Sequence, residues 1–204
     1  LRPGVSFHDG APFDAEAVKA NFTRVLDPVA NHKRVSLFTM IDRVEVVGPL
    51  TLRIVTKYPF GAFEPTIAHV SAAIVSPKAA STYDKAFGSS AEAVAGTGRY
   101  RVASWKKDQE IVLERYDAYW GTSGVTKQIV YRPIPEAAAR VLALESGDVD
   151  VISRIPATDI PRLEARQDIN VYKLPGVGAQ QFRFNLAKKP FKDARVRQAI
   201  SYAI

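Results

Sequence analysis

A chain of 204 residues with 47% apolar and 24% charged residues has room for one large domain or two small ones and the composition of an ordinary globular protein. The absence of cysteine excludes a disulfide framework and every thiolate metal site, and no window approaches the roughly 18–20 apolar residues that a bilayer span requires. The net charge of +7 comes from Lys and Arg spread along the whole chain rather than gathered in one block, so it reads as solvated basic surface and not as a nucleic-acid footprint.

In chain order, the opening "LRPGVSFHDGAPFDAEAVKANFTRVLDP" predicts a strand, a turn at His8-Asp9-Gly10 and a helix. Asp14 is placed as its N-cap, and Phe13 and Val18 are spaced for a hydrophobic staple. Val18, Phe22, Val25 and Leu26 fall on one helical face, and Asp27-Pro28 ends the helix. Residues 44–47 and 51–56 alternate around Gly48-Pro49, which predicts a hairpin. Residues 61–95 are less periodic; a helix running into a short buried strand at 72–75 is expected, with Ser76-Pro77 opening another helical turn. Alternation at 100–105 and 110–115 about a charged "KKDQ" loop predicts a second hairpin, followed by an aromatic cluster ending at Trp120-Gly121.

Residues 127–135 read as a strand, and 136–145 as a helix stopped by Gly147. The segment "DVDVIS" reads as a strand, and "ATDIPRLEAR" as a helix capped by Thr158 with Pro161 in its first turn. The segments "INVYKLPG" and "AQQFRFNL" read as strands, the latter placing Phe182, Phe184 and Leu186 on one face. Asp193 then caps a last helix with Val196, Ala199, Ile200 and Ala203 on one side. Strands alternating with helices and mixed with hairpins give an α/β chain with a mixed sheet. Leu1 falls inside what reads as a strand and turn, and Ile204 inside a helical pattern. An internal piece of a longer protein is therefore expected, with no signal sequence within it.

The motif Gly96-Thr97-Gly98 has the look of a phosphate loop, but such a loop needs a helix N-terminus after it. Here alternating residues follow, position 101 is Arg where a third glycine would stand, and no GK[ST] is present. A turn into a strand is the better reading. His8, His32 and His69 have no metal-ligand spacing. Asp148 and Asp150 could share a strand face as paired carboxylates, although turn or cap duty is the commoner use. There is no G-x-S-x-G elbow, so no catalytic constellation, metal site or cofactor is expected. The run Asn31-His32-Lys33-Arg34 gathers donors that would suit a carboxylate, or simply form an exposed loop. A glycine-flanked segment carrying Gln180, Gln181 and Arg183 could edge a cleft.

Four phrases together, "LRPGVSFHDGAPFDAEAVKANFTRVLDP", "GTGRYRVASWKKDQEIVLERYDAYWG", "RPIPEAAARVLALESGDVDVI" and "FNLAKKPFKDARVRQAISYAI", resemble in order and spacing the extracytoplasmic solute-binding proteins of peptide and nickel ABC importers. One departure is Arg99, where that family usually carries proline in G-T-G-P-Y. The resemblance implies a bilobed ligand trap of the periplasmic-binding-protein type (type II, cluster C-like), with the second lobe missing from this chain. Residues 1–13 and 96–190 would form the main part of the first lobe, 14–95 a smaller inserted subdomain, and 191–204 the start of the second lobe.

The segments "DPVANHKRVSLFTMI" and "YPFGAFEPTIAHVSAAIVSP" look closest to the glutathione-binding branch, with a His at the place of His69. The arginine that nickel-binding members carry in the segment corresponding to 67–75 is absent. The resemblance thus implies a short peptide ligand, glutathione-like or a di- or oligopeptide, ahead of a nickel chelate or a hydrolytic enzyme. The implied contacts are His32, Lys33, Arg34, His69, Gln180, Gln181 and Arg183. It also implies membrane permease subunits as partners, a monomer that binds no nucleic acid, and a periplasmic or extracytoplasmic location, as a lipoprotein or a free protein. No catalysis is implied, because ATP would be hydrolysed by a separate subunit.

Overall fold

The computed structural model describes residues 1–29, 32–176 and 181–203. The chain forms two compact units, Leu1–Pro135 and Glu136–Ile204.

The first unit is built around one amphipathic helix. Helix α1 (Ala15–Leu26) starts where expected, because the Asp14 carboxylate accepts from the Ala17 N–H at 2.8 Å and satisfies a backbone donor that the helix leaves free. Its buried face carries Val18, Phe22 and Val25, spaced three and four apart, and these pack against Phe38, Met40, Ile41 and Ala72. Strands β1 (Ile41–Gly48) and β2 (Thr51–Thr56) pair antiparallel, Val44 opposite Ile54, and close over Pro49 and Leu50. The inner residues Val44, Leu52 and Ile54 pack onto the same core. Helix α2 (Phe63–Ile67) and a 3-10 turn (Val70–Ala72) follow.

The expected buried strand at 72–75 is not formed. Ala72 enters the core from the 3-10 turn, and nearby the Ser76 N–H makes a single bond to the Ala95 carbonyl, which is not a ladder. Helix α3 (Pro77–Tyr83) then starts as expected, with the Ser76 hydroxyl accepting from the Ala79 N–H. The expected opening strand is also reduced, to an isolated bridge between Ser6 and Pro12.

A second sheet, in the order β3 (Tyr100–Lys106), β4 (Glu110–Arg115) and β5 (Gln128–Tyr131), is antiparallel throughout. The α/β class is as expected. Every strand pairing among the described residues is antiparallel, and the parallel neighbours of a mixed sheet are not among them.

Two features tie this sheet to the N-terminal turn. The His8 ring is hydrogen-bonded to the Gly98 carbonyl at 2.9 Å, and the His8 N–H donates to the Gly96 carbonyl at 2.9 Å. Its ring also meets Tyr116 edge-on, with centroids 4.9 Å apart. Residues 96–98 are therefore a structural crossing: the Gly96 and Gly98 carbonyls bond His8, and the Gly96 N–H donates to the His8 Nδ1 at 3.4 Å. Neither glycine there takes a positive φ. Gly124 is different: a Cβ there would overlap the Tyr100 hydroxyl and lie 2.7 Å from its Cζ, so only glycine lets that hydroxyl reach the Thr126 carbonyl.

The second unit holds helices α4 (Ala137–Ser146), α5 (Ile160–Glu164) and α6 (Ala194–Tyr202). Gly147 ends α4 with φ 79°, and Asp193 caps α6 by accepting from the Arg195 N–H at 2.9 Å, both as expected. Helix α5 begins two residues beyond Thr158, after Asp159, without a side-chain cap. Its Arg162 pairs with Glu145 and Asp159, which joins α5 to α4. Of the strands expected at 148–153, 169–176 and 179–186, none is formed among the described residues, and residues 179 and 180 lie outside them. Alternation gives a segment two faces, but a strand also needs a neighbour to hydrogen-bond, and none is present among those residues. Tyr172, Leu174 and Phe182 consequently stand 84%, 88% and 74% exposed.

Candidate functional site

The sequence-predicted residues divide between the two units. His32, Lys33, Arg34 and His69 belong to the first; Gln181 and Arg183 belong to the second. Asn31 and Gln180 lie outside the described residues.

Within the first unit, the two histidines flank one core. The His32 ring packs edge-on against Phe38, centroids 6.5 Å apart, and its Nδ1 accepts from the Arg34 N–H at 3.3 Å. Phe38 is fully buried among the residues that α1 and Ala72 supply. His69 stands at the head of the 3-10 turn that delivers Ala72 into that core, where its Nδ1 accepts from the Ser71 N–H at 3.0 Å. Each imidazole therefore uses its Nδ1 on local backbone. Lys33 and Arg34 are exposed beside His32.

Arg24, which the sequence reading passed over, sits close enough to act on His32. Its guanidinium donates to Asn21 Oδ1 at 3.3 Å and lies over the Phe87 ring at 5.4 Å. Burial lowers its affinity for a proton below the ordinary arginine value. Burial, and then the Arg24 charge, hold the His32 imidazole below its usual range. His32 is thus a neutral donor–acceptor at neutral pH. The only sequence signal for this was the i, i+3 spacing of Asn21 and Arg24, which any helix surface shows.

In the second unit, the Gln181 amide, oriented with its oxygen inward, accepts from Arg183 Nε at 3.0 Å and Nη2 at 2.7 Å. Both side chains are exposed. They form one polar pair that presents a guanidinium and an amide together.

Cavities lie among the described residues of the first unit. One of about 410 Å³ is walled by Phe13, Val18, Phe22, Ile54, Ile67 and Ile74 among others, and one of about 280 Å³ lies between α1 and α3. None of the predicted residues lines either. Among the described residues, no three His, Asp or Glu side chains gather as a metal cluster. Asp148 accepts from the Ser146 hydroxyl at 2.8 Å just past the end of α4, in the turn duty that was the commoner expectation. What the predicted residues offer is hydrogen-bond recognition: imidazoles, exposed cations and an amide, suited to carboxylate and amide groups.

The model of the bacterial extracellular solute-binding proteins, family 5 Middle, matches residues 1–204. A glutathione-binding protein GsiB from Pectobacterium atrosepticum is 36% identical over 206 residues, covering 100% of this chain and 39% of that protein. The Escherichia coli protein of the same name is 34% identical, with 100% and 40% covered. The chain thus spans about two-fifths of the length of the curated relatives it matches.

Among solved structures, NikZ from Campylobacter jejuni in complex with Ni(L-His) superposes with a TM-score of 0.84 at 23% identity, covering 100% of this chain and 41% of that one. A dipeptide-binding protein from a Pseudoalteromonas species in complex with Met-Leu gives 0.82 at 23% identity, covering 100% and 44%. At those identities the likeness is one of fold.

Proposed function

Because the chain belongs to the bacterial extracellular solute-binding proteins, family 5, we propose that it is part of the substrate-binding component of an ABC importer, capturing a short peptide outside the cytoplasmic membrane and delivering it to permease subunits. The observation that carries the ligand class is the 36% identity, across the whole chain, to a glutathione-binding protein. A glutathione-like tripeptide is the ligand this reading favours, ahead of other di- and oligopeptides.

In this reading residues 1–13 and 96–190 form the main part of a first lobe, 14–95 a smaller subdomain, and 191–204 the entry to a second lobe. Lys33, Arg34 and Arg183 take carboxylates of the peptide, while His32, His69, Gln180 and Gln181 take its amide and amine groups. The chemistry is binding alone. A ligand gripped by two lobes stabilises the closed form through contacts that the open form lacks, and a permease can read that closure.

The test is calorimetric titration of the full-length protein with glutathione, di- and tripeptides, and nickel chelates. Glutathione or a short peptide is expected to bind, and His69→Ala to weaken that binding about tenfold, the loss of one well-made polar contact. Binding of Ni-histidine without peptide would replace this reading with nickel transport. Binding of sugars or nucleotides alone would overturn it.

A further inference from the structure

The hydrogen bonds at His32 and His69 settle which ring nitrogen of each carries the proton. The Arg34 N–H donates to His32 Nδ1 at 3.3 Å, and the Ser71 N–H donates to His69 Nδ1 at 3.0 Å. A backbone N–H can only donate, so each Nδ1 spends its lone pair as an acceptor and has no proton of its own. The proton of each ring is therefore on Nε2. His8 shows the same arrangement completed within the protein. The Gly96 N–H donates to its Nδ1 at 3.4 Å, and its Nε2 lies 2.9 Å from the Gly98 carbonyl, which can only accept.

The fold holds both rings in this state. The His32 ring lies edge-on against the fully buried Phe38, centroids 6.5 Å apart. His69 caps the 3-10 turn Val70–Ala72, whose last residue enters the core. A metal-ligating histidine has the reverse arrangement: one nitrogen gives its lone pair to the metal, and the other donates its N–H to a carboxylate or carbonyl. Here the backbone group that faces each ring is a donor, so a metal on Nε2 would break that bond. Lys33 and Arg34 also carry only donors. The four predicted side chains of the first unit thus share one polarity.

We propose that His32 and His69 are specificity-determining donors through Nε2–H, so that the first-unit part of the site, with Lys33 and Arg34, selects carbonyl and carboxylate oxygens and takes neither an ammonium group nor a metal ion. This rests on the reading that the protein captures a short peptide through these residues. It assigns the acceptor-bearing groups of the peptide to the first unit and leaves its amine to other residues. Because the backbone bonds set the tautomer before any ligand arrives, the selection is built into the free protein.

The test uses the full-length protein. Spectra of nitrogen-15-labelled histidine, assigned with His32→Gln and His69→Gln, report the protonated ring nitrogen in mildly alkaline buffer, where free imidazole carries one proton. Both rings are expected as the Nε2–H tautomer without ligand, and a predominant Nδ1–H form at either would overturn the assignment there. In calorimetric titration with glutathione, His69→Gln should stay within about threefold of the parent, because its side-chain amide still donates. His69→Glu, which only accepts and is anionic, should lose about a hundredfold, more than His69→Ala. Parental affinity in His69→Glu, with glutathione binding intact, would overturn the donor role and leave the peptide reading standing. Failure of glutathione and of every short peptide to bind the parent, with both tautomers as expected, would overturn the peptide reading and with it the selection of ligand oxygens. Binding of Ni²⁺ alone that is lost in His32→Gln or His69→Gln would overturn the exclusion of metal.

Discussion

His32 meets three neighbours that set its behaviour: the Phe38 ring, the Arg34 N–H and the nearby Arg24 charge. Burial first, and the Arg24 charge second, disfavour its protonated form in the folded chain. The unfolded chain therefore binds this proton more readily. The contribution to stability is complete above the ordinary histidine value of 6.5, and is lost as pH falls below it toward the lowered folded value. Thermal melts from neutral pH downward should show Tm declining through that interval, and His32→Gln should flatten the decline. An unaltered slope in His32→Gln would place the effect elsewhere. At this scale the sequence was legible wherever the partner is local. Asp14, Ser76 and Asp193 each bond an N–H two or three residues ahead, so spacing alone finds them. Arg24 was not legible, because its effect on His32 depends on where the chain returns after α1.

Among the elements, α1 and the β1–β2 hairpin carry the first unit, and Phe38 joins them. It is fully buried, packs edge-on against Phe22 with centroids 6.2 Å apart, and also supports the His32 ring. Phe38→Ala is expected to cost about 3–5 kcal/mol, from lost transfer energy plus the cavity left behind. Denaturant titration should show the midpoint falling accordingly, and Phe38→Leu should recover most of the loss. A change under about 1 kcal/mol would mean that the core collapses into the space. Helices and hairpins were readable because each contains its own hydrogen-bond partners within a few residues. The strands expected at 148–153, 169–176 and 179–186 are not formed among the described residues for the complementary reason. Their apolar alternation is present, but a ladder requires a second segment that the pattern cannot name.

For the whole molecule, the governing fact is that the chain spans about two-fifths of the curated relatives it matches. If capture uses two lobes, this chain alone should bind glutathione at least about tenfold more weakly than the full-length protein, a difference of ~1.4 kcal/mol or more. Parallel calorimetry on the two would show it, and equal affinities would place the whole ligand site within these residues. By itself the sequence determined the caps of α1, α3 and α6, the amphipathic face of α1, both hairpins and the family, because all of these rest on short-range spacing or on motifs in fixed order. Only the tertiary structure decided that the Gly96 and Gly98 carbonyls turn onto His8, that Arg24 reaches His32, and that Arg2 and Arg99 come to the Trp120 and Tyr119 rings. Each of those meetings joins positions remote in sequence or turns on how a loop folds back. Spacing carries no information about which distant segments will share a surface.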